Sequence, residues 1–427
     1  MKKQYRKPAM ANLASIGFFM VVQIVIAIPN VTLGQQDLTD WTQWRGPQRD
    51  GIVESEVLSS ATSLKGVQKK WHVDLGPSYS GPLVVGDKIF VTETKDKKSE
   101  VVRALNRANG EQLWEAEWEG AMRVPIFARA NGDWIRATPV YDEGRLYVPG
   151  MTDLLVCLDV SDGSEIWKID FKGERGKNPS FGAVCSPLIH GDYLYIEAGN
   201  GLQKVDKVTG DVQWTALEGG KNMMSDGTFS SPLVATVAGK EQLLVQTRST
   251  LAGVDLDSGD VLWSQEVPAY RGMNILTPTV YKDFVFTSSY NNGSYMYQVN
   301  SAEEGGLSSA ETWQGPERGY MSSPIRIDNY AYLHLQNTRF SCIDLDTGET
   351  MWKSEQFGKY WSMISSGDRI LALDERGELL LVRANPEEFD LLDRKEVSDE
   401  STWAHVALSG NQIFVRELNG LTVYDWN

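Results

Sequence analysis

The chain has 427 residues, with 57 acidic against 41 basic side chains and a formal net charge of −16. Acidity of this size excludes a nucleic-acid or anionic-membrane surface and favours solubility and cationic partners. Three cysteines and four histidines leave little material for a disulfide framework or a zinc site.

The first signal in the chain is a leader. Lys2, Lys3, Arg6 and Lys7 precede an apolar run, Phe18 to Ile28, broken only by Gln23. The run is too short to span a bilayer comfortably and suits the apolar core of a signal peptide. Small residues around Thr32 and Gly34 predict cleavage before Gln35; an uncleaved N-terminal anchor is the alternative. Residues 1–34 hold four basic and no acidic side chains, so the remainder carries −20. The expected location is periplasmic or secreted, with no stable membrane insertion after cleavage. Residues 35–65 read as an extended lead-in and residues 66–427 as one repetitive domain.

Within that domain Trp71, Trp114, Trp167, Trp214, Trp263, Trp313 and Trp352 recur at steps of 39 to 53 residues. A fixed period of this length marks a repeat architecture. Five of the tryptophans end a longer unit, in which Gly stands four positions earlier and Asp or Asn four before that. The glycines are Gly110, Gly163, Gly210, Gly259 and Gly348. An Asp/Asn-led turn closing on Gly between apolar strands is hairpin chemistry, because Gly takes positive φ and the polar side chains bond the turn.

Each unit opens on proline: Gly81-Pro82, Thr138-Pro139, Ser186-Pro187, Ser231-Pro232, Thr277-Pro278 and Ser323-Pro324. Proline cannot donate to a ladder and fits the first residue of a strand. The unit is therefore four short antiparallel strands, which is a propeller blade. Two degenerate units begin near Met363 and Val406. The last lacks its fourth strand, and Lys70-Trp71-His72-Val73 is a Trp strand with no blade before it. We expect an all-β, eight-bladed propeller with blades starting near 82, 139, 187, 232, 278, 324, 364 and 406. The strand around Trp71 closes blade eight.

The 11-residue stretches ending in Trp resemble the tryptophan-docking repeats of PQQ-like (pyrroloquinoline quinone) β-propellers, the quinoprotein alcohol dehydrogenase-like superfamily. They are also similar to the outer-membrane assembly scaffold BamB. In that pattern a small residue stands ten before Trp; here it is Ala104, Cys157, Gly253 and Cys342, with Lys204 departing. Trp41 to Gly51 resembles the lead-in of secreted members. The leader has no nearby Cys for a lipid anchor, unlike the BamB-type scaffold. The resemblance specifies fold better than function, since one fold hosts scaffolds, sensors and enzymes.

Chemistry is sparse. Asp255-Leu-Asp257-Ser-Gly259 and Asp344-Leu-Asp346-Thr-Gly348 look like calcium loops but have Gly at position five and no later Glu, so they read as hairpin turns. No Gly-x-Ser-x-Gly elbow or Walker loop occurs. His72, His190, His334 and His405 are not paired at ligand spacing. Cys157 and Cys342 occupy the same register in different blades and, with Cys185, read as small packed hydrophobes. A quinoprotein's adjacent cysteine pair is missing, and its calcium ligands and base cannot be placed. No cofactor is expected; PQQ and calcium belong only to the alternative reading.

Function is then expected in the loops entering the innermost strands. The longest runs from Ala121 to Arg136 and carries Arg129, Trp134 and Arg136. Others carry Asp226, Arg271 and Asn274, Tyr320, Trp361, and Trp403 with His405. Arginine with aromatics is the composition of binding surfaces, and equally of side chains filling a narrow channel. The favoured reading is a non-catalytic binding or scaffold module, monomeric, with a protein or small-molecule ligand on the loop face. The alternatives are a divergent PQQ-dependent oxidoreductase and a glycan-binding propeller.

Overall fold

Thirty-two strands form eight four-stranded antiparallel sheets, seven of them built from consecutive strands. The computed structural model describes Met1 and residues 40–172, 178–220, 222–302 and 306–427; apart from Met1, the leader expected at 1–34 lies outside the described residues. Blade one comprises Leu83–Val85, Lys88–Lys95, Ser99–Asn106 and Gln112–Glu119. Blades two to seven occupy residues 140–170, 188–216, 233–266, 279–315, 325–356 and 361–396. Blade eight joins Ala407–Ser409, Gln412–Glu417 and Gly420–Trp426 to Val67–Asp74, so the Trp71 strand does close the ring. Such closure gives the last blade its fourth, outermost strand and ties the two ends of the ring together. The first strands start within a residue of expectation except in blade seven, which begins at Trp361 and has no proline to mark its start.

Burial follows position in the blade. The second and third strands are buried almost throughout, as in Lys88–Lys95 and Leu154–Asp159, while the fourth alternates exposed and half-buried. That alternation is what an outermost strand with one solvated face requires. The Ser or Thr before each proline links the inner strands. Gly81 N donates to Thr138 Oγ1, Thr138 N to Ser186 Oγ, Ser186 N to Ser231 Oγ, and Thr277 N to Ser323 Oγ, at 2.9–3.0 Å.

The tryptophans dock forward. Nε1 of Trp71, Trp114, Trp214, Trp313 and Trp352 donates to a carbonyl of the following blade, at Arg107, Val160, Asp257, Leu345 and Asn385. Trp167 packs on Gly210 of the next turn without such a bond. Trp263 differs: blade five has no Asp-to-Gly turn to receive it, and its Nε1 turns to Gln242 Oε1 of its own blade at 2.6 Å. The residue ten before Trp is its cross-strand partner, as in Cys157–Trp167 and Gly253–Trp263. Lys204 fits the same place by extending its stem: Nζ lies 4.0 Å from the Tyr193 ring centre and donates to Leu256 O at 2.8 Å.

The segment 41–53 closes the central channel. Trp41 pairs with Val84 in blade one, Thr42 O accepts from Tyr141 N in blade two, and Ile52 pairs with Ser365 in blade seven. Arg49 is 1% exposed and donates to Pro187 O, Ser186 O and Pro232 O at 2.6, 2.9 and 3.1 Å. Arg45 donates to Asp50 O at 2.8 Å and to Pro324 O. Burial lowers both guanidinium pKa values to about 10, so each remains a cation at neutral pH, held by carbonyl dipoles. Asp40 Oδ1 accepts from Gly86 N in the turn between the first two strands of blade one, so the segment enters from the turn end of the ring.

Candidate functional site

An antiparallel blade sends two kinds of loop to one end of the ring: those entering the first strand, and those between the second and third strands. The docking turns lie at the other end. At the loop end a funnel of about 510 Å³ opens on the axis. Its lining includes Trp44, Ser186, Ser231 and Ser323, which places it over the closing segment and the serine ring. Loops of seven blades contribute to its wall.

The wall is aromatic. One arc runs Tyr270, Tyr290, Tyr320, Trp403 and Tyr79, with the buried Tyr360, outside the lining, bridging Tyr320 to Trp403; successive ring centres are 3.8 to 6.3 Å apart. A second joins Phe127, Phe181 and Phe229 at 6.1 and 5.6 Å. Arg248 lies over Phe229 at 4.2 Å. Its Nε, Nη1 and Nη2 donate to Gly272 O, Asp226 O and Arg271 O at 2.6, 2.9 and 2.9 Å. Arg248 therefore clamps two loops together, and burial lowers its pKa to about 10. Arg136 donates to Trp134 O and Gly132 O at 3.2 and 3.1 Å, which folds the long loop back on itself. Burial raises the Tyr79 phenol, opposed by the Arg136 charge and a hydrogen bond with Trp134; burial pushes Tyr360 up to about 12. These phenols stay protonated at neutral pH and can donate hydrogen bonds.

Among the described residues, three arginines line the funnel, Arg136, Arg248 and Arg271, and no Asp or Glu does. Apolar side chains stand exposed around its mouth: Ile126 at 78%, Phe127 at 61% and Tyr270 at 48%, with Met224 and Met321.

Of the ten residues singled out in the sequence, Arg136, Arg271, Tyr320 and Trp403 line the funnel. Arg129 is exposed on the short 3-10 helix Ile126–Asn131, outside the lining. Trp134 stands half-buried over Gly132, where a Cβ would come within 2.4 Å of its Nε1. Asp226 is buried and accepts from Ser180 Oγ at 2.8 Å. Asn274 is buried and donates to Val267 O and Arg248 O at 2.8 and 3.2 Å, a loop-fastening role. Trp361 lies in the core between blades six and seven, 4.7 Å from Phe340 and 4.9 Å from His334. His405 is half-buried against the closing segment, 6.3 Å from Trp41 and 6.2 Å from Trp44. Burial and then the Arg45 charge lower its pKa to about 3, so it is neutral packing at physiological pH.

Arg248 and Tyr290 also line the funnel but sit between second and third strands, outside the loops entering first strands on which the expected residues lie. The antiparallel order of a four-stranded blade was sufficient to put both loop sets at one end. Trp44 was missed because nothing in its spacing indicates that the lead-in crosses the axis.

Among the described residues no group of three or more His, Cys, Asp or Glu is placed to hold a metal. Cys157, Cys185 and Cys342 are unpaired and buried, and burial pushes the thiols of Cys157 and Cys342 up to about 12. Among the described residues no helix is long and apolar enough to cross a membrane.

Fold and funnel together define an eight-bladed propeller closed at one end by its own N-terminal segment and open at the other as an aromatic, arginine-bearing cavity. The chain belongs to the family described as outer membrane protein assembly factor BamB, which matches residues 97–354. A BamB of Shewanella oneidensis is 26% identical over 299 residues, covering 68% of this chain and 67% of its own. The solved structure of BamB from Moraxella catarrhalis aligns with a TM-score of 0.61 at 12% identity, covering 84% of this chain and 98% of that one. A europium-containing methanol dehydrogenase aligns at 0.52 and 12% identity, over 91% and 98%. At such identity the structural likenesses show the fold alone.

Proposed function

We propose that this protein is an exported, monomeric, non-catalytic binding module that holds a polypeptide partner at its loop face, in the outer-membrane protein assembly for which its relatives are named. The observation that carries the reading is the exposed apolar rim around a concave, cation-lined funnel. Exposed aliphatic and aromatic groups gathered at a mouth mark an interaction site, whereas scattered ones need no explanation. The leader expected at residues 1–34 supports export.

The funnel residues do not fit a calcium-held quinone. No carboxylate among the described residues lines the cavity, and the cysteines are neither adjacent nor exposed. A hard divalent cation needs several oxygen ligands, usually with carboxylates among them. A glycan platform is disfavoured by ring packing: Trp403 lies 4.6 Å from Tyr79 on one side and 3.8 Å from Tyr360 on another, which occupies the surfaces a sugar would use. The test is a titration of purified protein with PQQ and Ca²⁺, followed by absorbance and dye-linked alcohol oxidation. No saturable quinone spectrum and no turnover is the expected result; stoichiometric quinone uptake with turnover would reverse the proposal.

A further inference from the structure

The funnel's charge is opposite to that of the chain. Acidic residues outnumber basic ones by 57 to 41 in the sequence, yet among the described residues the cavity carries three arginines and no carboxylate. The hydrogen bonds recorded for Arg136 and Arg248 go to neutral carbonyls, which orient the cations without cancelling them. Asp133 and Asp226 lie within electrostatic reach of Arg136 and Arg248 but outside the lining. Arg271 stands exposed at the rim, 5.1 Å from the Tyr270 ring centre, at a backbone φ of 54°. A cationic concavity with low-dielectric walls focuses field and draws anionic groups.

Resting on the reading of the loop face as a polypeptide site, we infer that the funnel takes an extended acidic–apolar segment of a partner. Its carboxylates seat against Arg136 and Arg271, and its apolar side chains cover Phe127, Met224, Tyr270 and Met321. A small anion could satisfy the arginines but would leave that rim in water. A nucleic acid would bring a charge on every phosphate to a chain of net charge −16, and no aliphatic side chains to cover the rim. A peptide chain supplies both chemistries at alternate positions, and the guanidinium fork binds carboxylates with two donors.

The test is fluorescence anisotropy with a short labelled peptide alternating Asp with Leu and Phe, compared with an Asn-for-Asp counterpart. The acidic peptide should bind about ten times more tightly, and the advantage should shrink as salt is raised. Arg271→Glu should remove it, and Arg271→Lys, which keeps the charge but not the fork, should retain part of it. Arg129→Glu, on the exposed helix outside the lining, should leave binding unchanged. Both arginines are exposed, so these variants fold. Equal binding of the two peptides overturns the inference, as does indifference to Arg271→Glu, or no saturation below about 1 mM. A concentration-dependent dimer abolished by Arg271→Glu would mean that a second copy fills the funnel, and also overturns it. If the two peptides bind equally and Phe127→Ser weakens both, the polypeptide site stands and its preference for acid does not.

Discussion

Trp114 of blade one packs on Gly163 of blade two so closely that a Cβ at Gly163 would stand 2.5 Å from the indole, and its Nε1 donates to Val160 O at 3.0 Å. The same relation joins Trp71 to Gly110, Trp214 to Gly259 and Trp313 to Gly348. Each turn glycine therefore answers two demands: positive φ, and room for the preceding blade's tryptophan.

These demands can be separated. Gly144 has φ +82 with nothing within 4 Å of a Cβ, whereas Gly163 has φ +78 and the indole. Gly144→Ala should cost about 1 kcal/mol from backbone strain alone. Gly163→Ala should cost about 3 kcal/mol, because overpacking adds to the strain. Urea midpoints of the two variants check this; equal losses would mean that the indole contact contributes nothing.

Arg49 should be the fastening of the closing segment. Three of its bonds reach backbone carbonyls of blades three and four from a fully buried position. Arg49→Met keeps much of the stem and removes the donors. We expect a loss of roughly 3 kcal/mol, since buried carbonyls lose charge-assisted partners. Limited proteolysis should then cut within residues 41–53 before the blades, whereas simultaneous digestion would place the fastening elsewhere.

Glu100 gives the stability a pH signature. It is buried and accepts from Met151 N at 2.7 Å and Trp118 Nε1 at 3.0 Å, yet burial outweighs both bonds and raises its pKa from 4.5 to about 7. A carboxyl raised on folding stabilises fully below its unfolded pKa. That contribution is lost as pH rises from about 4.5 to about 7, a change of roughly 3 kcal/mol. His334 acts oppositely: burial lowers its pKa to about 4, so its contribution is full above 6.5 and lost as pH falls through 4. Glu100→Gln isolates the first effect. Its stability relative to the parent, from urea midpoints at pH 5 and pH 8, should improve at the higher pH. A difference independent of pH would contradict the assignment.

The ring was legible because each blade repeats a chemical necessity: proline where no donor is needed, glycine where φ is positive, tryptophan where a neighbour is docked. Blade seven tested this, since it has lost Gly and Trp. Asn385 O still receives the Trp352 indole, because docking needs a carbonyl and not a particular side chain. The closure by Trp71 was legible as a remainder in the count of strands. The funnel was legible only in part. Arg136, Arg271, Tyr320 and Trp403 could be found because they lie on loops the repeat marks as entering inner strands. Trp361 and Asn274 share that position in sequence, but one turns into the core and the other fastens a loop, distinctions that depend on side-chain direction. Arg248 lies on a loop whose end of the ring follows from the antiparallel strand order, whereas Trp44 depends on the path of the lead-in across the axis, which no local pattern contains.

The central claim, that the loop face holds the partner, is tested most directly by photo-crosslinking in the native envelope. A crosslinking side chain is placed at Phe127, Met224 or Tyr270 on the rim, or at Val261 or Met351, which are exposed on outermost strands. The account predicts one discrete adduct shared by the three rim positions and absent from the two outer ones. The same adduct from the outer strands, with none from the rim, would contradict it.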